Sequence, residues 1–357
     1  MRRFLTQQLK RYRQTLRYLN GWRQAVPVTE YSGTLLDSGI PLRLLTLGSS
    51  QLITEALFRQ APEKREIAQL SALQAPGYLH SLQQSQTRSY DLILQPHLPW
   101  HGLNADDLLL PDYLEARIPF RGSYHDWLAS LRDNTRRSVQ QAQKLGISFR
   151  RASTVEDYAY FHQHLLTPYM QARHGYNCYV ETLAEFCADT RHACLELLIW
   201  DGQIVAGFHL KLPAHANASY FNKVGLSPAS FSDKTRMRLL NSLIYARMAE
   251  LSINAGFKAM ELGITPAILG HGILWYKAGW GAEFRANDSL QTYRLSFVSD
   301  QARQIQAQLP PLICIDGHAQ LHAQSWSDQE SKQSRLKALE KYRFAGLGQI
   351  QITLIPG

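Results

Sequence analysis

Apolar residues recur every three or four positions from Met237 through Leu240, Ile244, Met248 and Leu251 to Ala255, which predicts one long helix with a buried face. Gly256 stops it in the manner of a left-handed cap. Phe257 to Leu262 then reads as a strand. Gly263, Pro266, Gly270 and Gly272 interrupt regular structure until a helical turn at Trp275. From Thr292 to Val298 the period changes to two, with Tyr293, Leu295 and Phe297 on one face of a strand. Glu261 is thereby expected near a strand end, beside a glycine-rich loop.

The same reading along the chain gives a mixed α/β pattern. Leu42 to Leu47 and Tyr90 to Gln95 read as strands, with a helix from about Ser50 to Arg59 between them. Tyr113 to Phe120 is a strand, Ser123 an N-cap, and Asp133 to Leu145 an unusually polar helix on which Arg132, Arg136 and Lys144 form a positive stripe. That stripe is either a solvated face or a contact for a phosphate-bearing ligand. A helix from Val155 to about Arg173 follows. Asp201-Gly202 between Leu195–Trp200 and Gln203–Leu212 marks a hairpin, with His209 and Lys211 on the face opposite Ile204, Ala206, Phe208 and Leu210. A strand from Ala218 to Val224 brings Tyr220, Asn222 and Lys223 to an end broken by Gly225. Ser232 or Asp233 caps the long helix, whose first turns hold Lys234, Arg236 and Arg238; cations there fit either surface decoration or a neighbouring anion. The tail adds a helix from Gln329 to Tyr342 and an alternating strand from Gln349 to Ile355, read as completing a sheet, with that of the first half in view.

Charge changes this picture little. The net +9 is concentrated in residues 1–24, which hold seven of the 38 lysines and arginines and no acid; the other 31 face 29 acidic residues, so the body is nearly neutral. Distributed phosphate tracking along a duplex is not expected of it. Residues 1–24 read as a basic amphipathic helix with Phe4, Leu5, Leu9, Tyr12, Leu16 and Leu19 on one side, for docking on the protein itself or for peripheral contact with an anionic membrane surface. No run of about 18 apolar residues occurs and no signal peptide is legible, which places the chain in the cytoplasm. Cys178, Cys187, Cys194 and Cys314 form no CxxC pair, so neither zinc nor a disulfide framework is expected.

The element order, with Arg132 to Gly146, Asp201-Gly202-Gln203-Ile204-Val205-Ala206-Gly207, Glu261-Leu262-Gly263 and Tyr276-Lys277-Ala278-Gly279-Trp280-Gly281-Ala282, resembles the acyl-CoA N-acyltransferase (GNAT) fold in its FemAB-like branch. The resemblance covers about 115–300. It implies a GNAT-like mixed sheet flanked by helices, with a degenerate GNAT-like half before it. The domains expected are a basic helix (1–24), an N-terminal α/β half (25–112), an acyltransferase domain (113–300) and a tail (301–357) packing back on the sheet. The usual pyrophosphate loop, Arg/Gln-x-x-Gly-x-Gly/Ala, has no counterpart at Leu226 to Ser232, and the coiled-coil arm of some FemAB members is absent.

The implied reaction moves an acyl group from an acyl-CoA-type thioester, without a metal, to an amine acceptor such as an envelope or polysaccharide precursor. Such a reaction needs a base for the amine, donors for the carbonyl and a proton for the leaving group. Glu261 is the first candidate base, its alternative being an ion pair with Lys223 or Lys277. His271 and His209 are further candidates, and Tyr276 is the proton donor or a ring packed under Trp280. Lys277, Lys223, Asn222, Arg236 and Arg136 are the candidates for holding the donor or an anionic acceptor. The resemblance equally admits an aminoacyl-tRNA-dependent aminoacyltransferase with tRNA as partner, or a non-catalytic scaffold on the same fold.

Overall fold

In a computed structural model, the structure describes residues 25–36, 38–48, 54, 57, 58, 60, 62–71, 90–97, 103–174, 180–188, 192–286, 292–299, 301–316 and 320–355. The basic segment 1–24 and most of the expected 50–59 helix lie outside these residues. In chain order the elements are β1 (Ala25–Thr34), β2 (Pro41–Leu47), β3 (Glu63–Ser71), β4 (Leu92–Pro96), β5 (Leu108–Pro111), β6 (Leu114–Pro119), α1 (Tyr124–Ser130), α2 (Asp133–Gln143) and β7 (Ser148–Arg151). Then α3 (Val155–Tyr160) runs through a π-helical segment (Phe161–Leu166) into α4 (Thr167–His174), followed by α5 (Leu183–Ala188), β8 (Ala193–Trp200), β9 (Gln203–Lys211) and β10 (Ala218–Leu226). The chain continues with α6 (Pro228–Ser232), α7 (Lys234–Asn254), β11 (Ala259–Thr265), α8 (Gly272–Gly279), β12 (Glu283–Ala286), β13 (Thr292–Phe297), α9 (Ala302–Gln308), β14 (Leu312–Ile315), β15 (Leu321–Ser327), α10 (Lys332–Glu340) and β16 (Leu347–Leu354).

The chain forms two compact units. The first takes the residues through Glu115, Ile264–Trp275 and Phe284 onward. Its six-stranded sheet has the order β3-β1-β2-β4-β13-β5, around a core that includes Val28, Leu45, Leu47, Tyr90 and Ile93. β13 lies antiparallel between β4 and β5, with Tyr293 and Leu295 buried as their alternation requires. The terminal strand β16 pairs parallel with β15 in a separate three-stranded sheet, so it completes that sheet and not the six-stranded one.

The second unit, Ala116–Gly263 with Tyr276–Glu283, carries the seven-stranded sheet in the order β12-β6-β11-β10-β9-β8-β7. The β8–β9 turn is a true two-residue hairpin: Trp200 faces Gln203, while Asp201 and Gly202 have φ of 51° and 76°, the positive pair this turn demands. Ser123 and Asp126 form a reciprocal capping box at the start of α1. α7 packs on one face of this sheet, with Ser252 Oγ 2.7 Å from Ser219 Oγ of β10 and Arg247 paired to Glu196 of β8. The π-helical segment covers the other face at two glycines. A Cβ on Gly225 would stand 2.6 Å from the main-chain nitrogen of Leu166, and one on Gly207 would stand 2.8 Å from the Phe161 ring.

Two expected breaks do not occur. β10 runs through Gly225 to Leu226, because that glycine admits the helix backbone and does not turn the chain. β11 likewise passes Gly263 to end at Thr265, and α8 begins at Gly272, ahead of Trp275.

Candidate active site

The centre of the second unit is where β10 and β11 part. They pair in parallel at Ala218↔Ala259, Ser219↔Met260 and Tyr220↔Glu261, and there the pairing ends although both strands run on, to Leu226 and Thr265. On its other edge β10 stays antiparallel to β9 throughout, with a bulge that leaves Asn222 unpaired between Phe221↔Leu210 and Lys223↔His209. Main-chain groups of two strands without strand partners therefore line a wedge. A parallel pair that parts in this way, beside an antiparallel meander, makes the second unit GNAT-like.

Alternation fixes which side chains share the wedge. Ser219 points to α7, so Tyr220 and Glu261 lie side by side on the opposite face, and Asn222 follows two residues on. Glu261 forms an ion pair with Arg117 of β6, Nε to Oε1 at 3.6 Å, a residue other than the expected Lys223 or Lys277. Lys223 pairs instead with Glu181, Nζ to Oε1 at 3.4 Å. Asn222 Nδ2 lies 2.8 Å from Nδ1 of His209, a buried side chain whose ring meets Phe186 edge-on at 5.1 Å.

Tyr276 lies on α8, in the second unit. Its ring meets Tyr245 of α7 edge-on at 5.5 Å, and its hydroxyl hydrogen-bonds the Trp280 side chain. Although 41% of the residue's surface is open, protein atoms crowd its hydroxyl end, and this desolvation raises its pKa well above that of a free phenol. It remains a protonated donor at neutral pH. Beneath it Tyr245, Trp280 and Trp127 form a column, with Trp280 stacked on Tyr245 at 4.8 Å and on Trp127 at 6.3 Å. Tyr276 also meets Trp280 edge-on at 6.3 Å, which is the packing contact expected of this tyrosine.

The neighbouring Lys277 is only 7% exposed, and burial lowers its pKa to about 8. The remaining sequence candidates are placed elsewhere. Arg136 donates to the Ala129 carbonyl and to Asp133, tying together the start of α2. Arg236 lies 4.5 Å over the ring of Trp200. The basic start of α7 needs no external anion, because Asp233 Oδ1 accepts from the amides of Thr235 and Arg236 and supplies the negative charge itself. His271 belongs to the first unit, where Nδ1 accepts from the amide of Ile273 and burial lowers its pKa. Among the described residues no group of three or more His, Cys, Asp or Glu could hold a metal ion, and no helix is long and apolar enough to cross a membrane.

Two groups at this face were not singled out from the sequence. Glu181 follows a stretch of sequence without apolar periodicity. His162 sits in a π-helical turn, which shifts the face it occupies away from that given by a 3.6-residue period.

No protein-family profile matches the chain, and no curated protein sequence matches it. Solved structures with a similar fold include FemX, at 13% identity and a TM-score of 0.42 over 74% of this chain and 82% of that one. Another is the C-terminal domain of a putative lysylphosphatidylglycerol synthetase from Agrobacterium fabrum, at 12% and 0.36 over 76% and 85%. A probable N-acyltransferase from Enterococcus faecalis V583 matches at 9% and 0.29 over 79% and 60%.

Proposed function

We propose that the second unit transfers an acyl group from an acyl-CoA-type thioester to an amine. The observation that carries this reading is the parting of β10 from β11 after Tyr220↔Glu261. Strand amides released from pairing are fixed donors, suited to holding a thioester carbonyl and stabilising the oxyanion that forms as it is attacked. Tyr276, kept protonated by its surroundings, would give its proton to the leaving thiolate. Glu261, at the last paired position and beside Arg117, would attract the acceptor's ammonium. Asn222 and Lys223, at the bulge, line the same face. Lys277 beside Tyr276 would meet the donor's phosphates by a small movement of α8, and its pKa of about 8 lets it also exchange protons near neutrality. A cytoplasmic chain with residues 1–24 resting on a membrane surface would suit a lipid-linked or envelope acceptor.

Thermal shift with acetyl-CoA, longer acyl-CoAs and an aminoacyl-tRNA tests the donor, since a ligand at 100 times its Kd stabilises the folded state by about 2.7 kcal/mol. Release of free CoA in the presence of amines tests transfer. Stabilisation by an acyl-CoA, with amine-dependent thiol release, is the expected result. Stabilisation by the aminoacyl-tRNA alone would replace the donor, and no response to any of them would remove the transferase reading.

A further inference from the structure

The π-helical segment places one histidine in an unusual state. His162 is 9% exposed, and its Nε2 lies 2.7 Å from the main-chain carbonyl oxygen of Glu181. A carbonyl only accepts, so Nε2 carries the hydrogen and, in the neutral ring, Nδ1 keeps its lone pair. That Nδ1 is buried without a hydrogen-bond partner, as is Oγ1 of Thr167 one turn on. Buried polar atoms are seldom left so, and an acceptor in this condition is complementary to a ligand bearing N–H or O–H.

The surroundings connect this ring to the wedge. The carboxylate of Glu181, whose carbonyl fixes the ring, pairs with Lys223 on β10, beyond the point where β10 and β11 part. Phe186 lies against both His162, at 5.8 Å, and His209, at 5.1 Å. The segment is seated against Gly207 of β9 and Gly225 of β10, so its position relative to those strands is set by main-chain contact. The titratable or charged groups linked to it by these contacts are Glu181, Lys223 and His209, with Tyr158 across Phe186.

Resting on the acyl-transfer reading, we infer that the acceptor amine binds with its nitrogen at His162 Nδ1, which takes its proton. The ammonium gives one proton to Nδ1 and becomes a neutral amine. Its nitrogen bonds to the acyl carbon, the carbon–sulfur bond breaks, and the thiolate takes the proton of Tyr276. The surplus proton on the new amide nitrogen restores the tyrosine through solvent, and the imidazolium releases its own to water. Thioester and ammonium thus give amide, thiol and one proton.

The test uses the full chain labelled with 15N-histidine. In the free protein the His162 resonances are expected to report hydrogen on Nε2 and a bare Nδ1, with the Nδ1 signal moving on titration with at least one of ethanolamine, glucosamine or spermidine. His162→Gln keeps a donor for the Glu181 carbonyl but has no Nδ1 lone pair. It is expected to unfold near the wild-type temperature, to lower kcat/KM for amine-dependent thiol release by about 100-fold, and to flatten the acid limb of the pH–rate profile. Hydrogen on Nδ1, or a Nδ1 signal unmoved by all three amines, overturns the inference, and both readouts come from the unsubstituted chain. A His162→Gln protein within twofold of wild type with its acid limb intact also overturns it, while leaving acyl transfer standing. An amine that moves the His162 signal in a protein that turns over no acyl-CoA supports the amine position and removes the transferase reading instead.

Discussion

Replacing Gly225 with alanine tests the contact on which the wedge face is built. The added carbon would stand 2.6 Å from Leu166 N, 2.7 Å from Leu165 C and 2.9 Å from Leu165 Cβ. Two of those atoms are main chain and cannot rotate away, so the whole π-helical segment must retreat by several tenths of an ångström from β10. Overpacking of this kind costs about 2–3 kcal/mol. Gly207→Ala is the internal comparison, with its nearest contacts the Phe161 ring at 2.8 Å and the Glu196 carbonyl oxygen at 3.1 Å. A ring can swing, and about 1–2 kcal/mol is expected there. Gly146→Ala has open space but a φ of +67°, so its cost of about 1 kcal/mol is conformational alone. At about 2–4 °C per kcal/mol for domains of 150–250 residues, Gly225→Ala is expected to lower the Tm by about 4–12 °C, more than Gly207→Ala and more again than Gly146→Ala. Thermal unfolding followed by tryptophan fluorescence measures all three. A Gly225→Ala protein melting within 1 °C of wild type, or above Gly207→Ala, would refute the reasoning.

Three further outcomes are expected. Arg247→Met strands the buried carboxylate of Glu196, which Arg247 holds through Nε at 2.9 Å and Nη2 at 3.2 Å, and should cost about 3–5 kcal/mol in urea unfolding. Replacing Glu196 by leucine as well should recover most of it, and no recovery would show that packing, not charge, carries the loss. Lys277→Met should stabilise the protein at pH 7 by about 3 kcal/mol, because burial moves that lysine from 10.5 to about 8. Below pH 8 both states bind the proton and the folded state bears the whole cost. Between about 8 and 10.5 the unfolded chain binds more protons, stability rises with pH, and the advantage of methionine fades; an advantage constant with pH would contradict this. Tyr276→Phe keeps the ring against Tyr245 and Trp280, should cost only about 1 kcal/mol for its hydroxyl's hydrogen bond with Trp280, and should lower kcat for thiol release by about 100-fold or more. An unchanged kcat would leave Tyr276 with packing alone.

What could be read from the sequence was what short-range rules govern. The Asp201-Gly202 hairpin, the Ser123 and Asp233 caps, the left-handed Gly256 and the alternation of β13 each depend on a few adjacent residues, and each is present. Which strands meet was not legible in the same way. The side-chain pattern of β13 is satisfied by any sheet with a buried face, and nothing within Thr292–Phe297 specifies β4 and β5 as its neighbours. Glycine was ambiguous for a related reason. A positive φ marks a turn, as at Gly202, whereas Gly225 and Gly207 are glycine because another backbone or ring lies against them, and a break was read at the first of these. Arg117 was missed as a partner of Glu261 because the two are brought together by β6 lying beside β11, a pairing between strands far apart in sequence.

The same limit explains how the candidate site came to be incomplete. Glu261, Asn222, Lys223, His209 and Tyr276 were found because polar or aromatic residues at strand ends and beside glycines stand out in a linear pattern. Glu261, Asn222, Lys223 and His209 lie on neighbouring strands, where β10 continues to pair with β9 while leaving β11, so one strand carries both a bulge and an open edge. A bulge displaces one residue and a π-turn inserts one, and each changes which side chains face the opening without changing the order of apolar and polar residues. His162 and Asn222 owe their positions to those two irregularities, one in a sheet strand and one in the helical segment that covers it. Substitutions that regularise either one, a deletion within Phe161–Leu166 or within Phe221–Lys223, should therefore disturb the face of the wedge far more than they disturb the seven-stranded sheet that supports it.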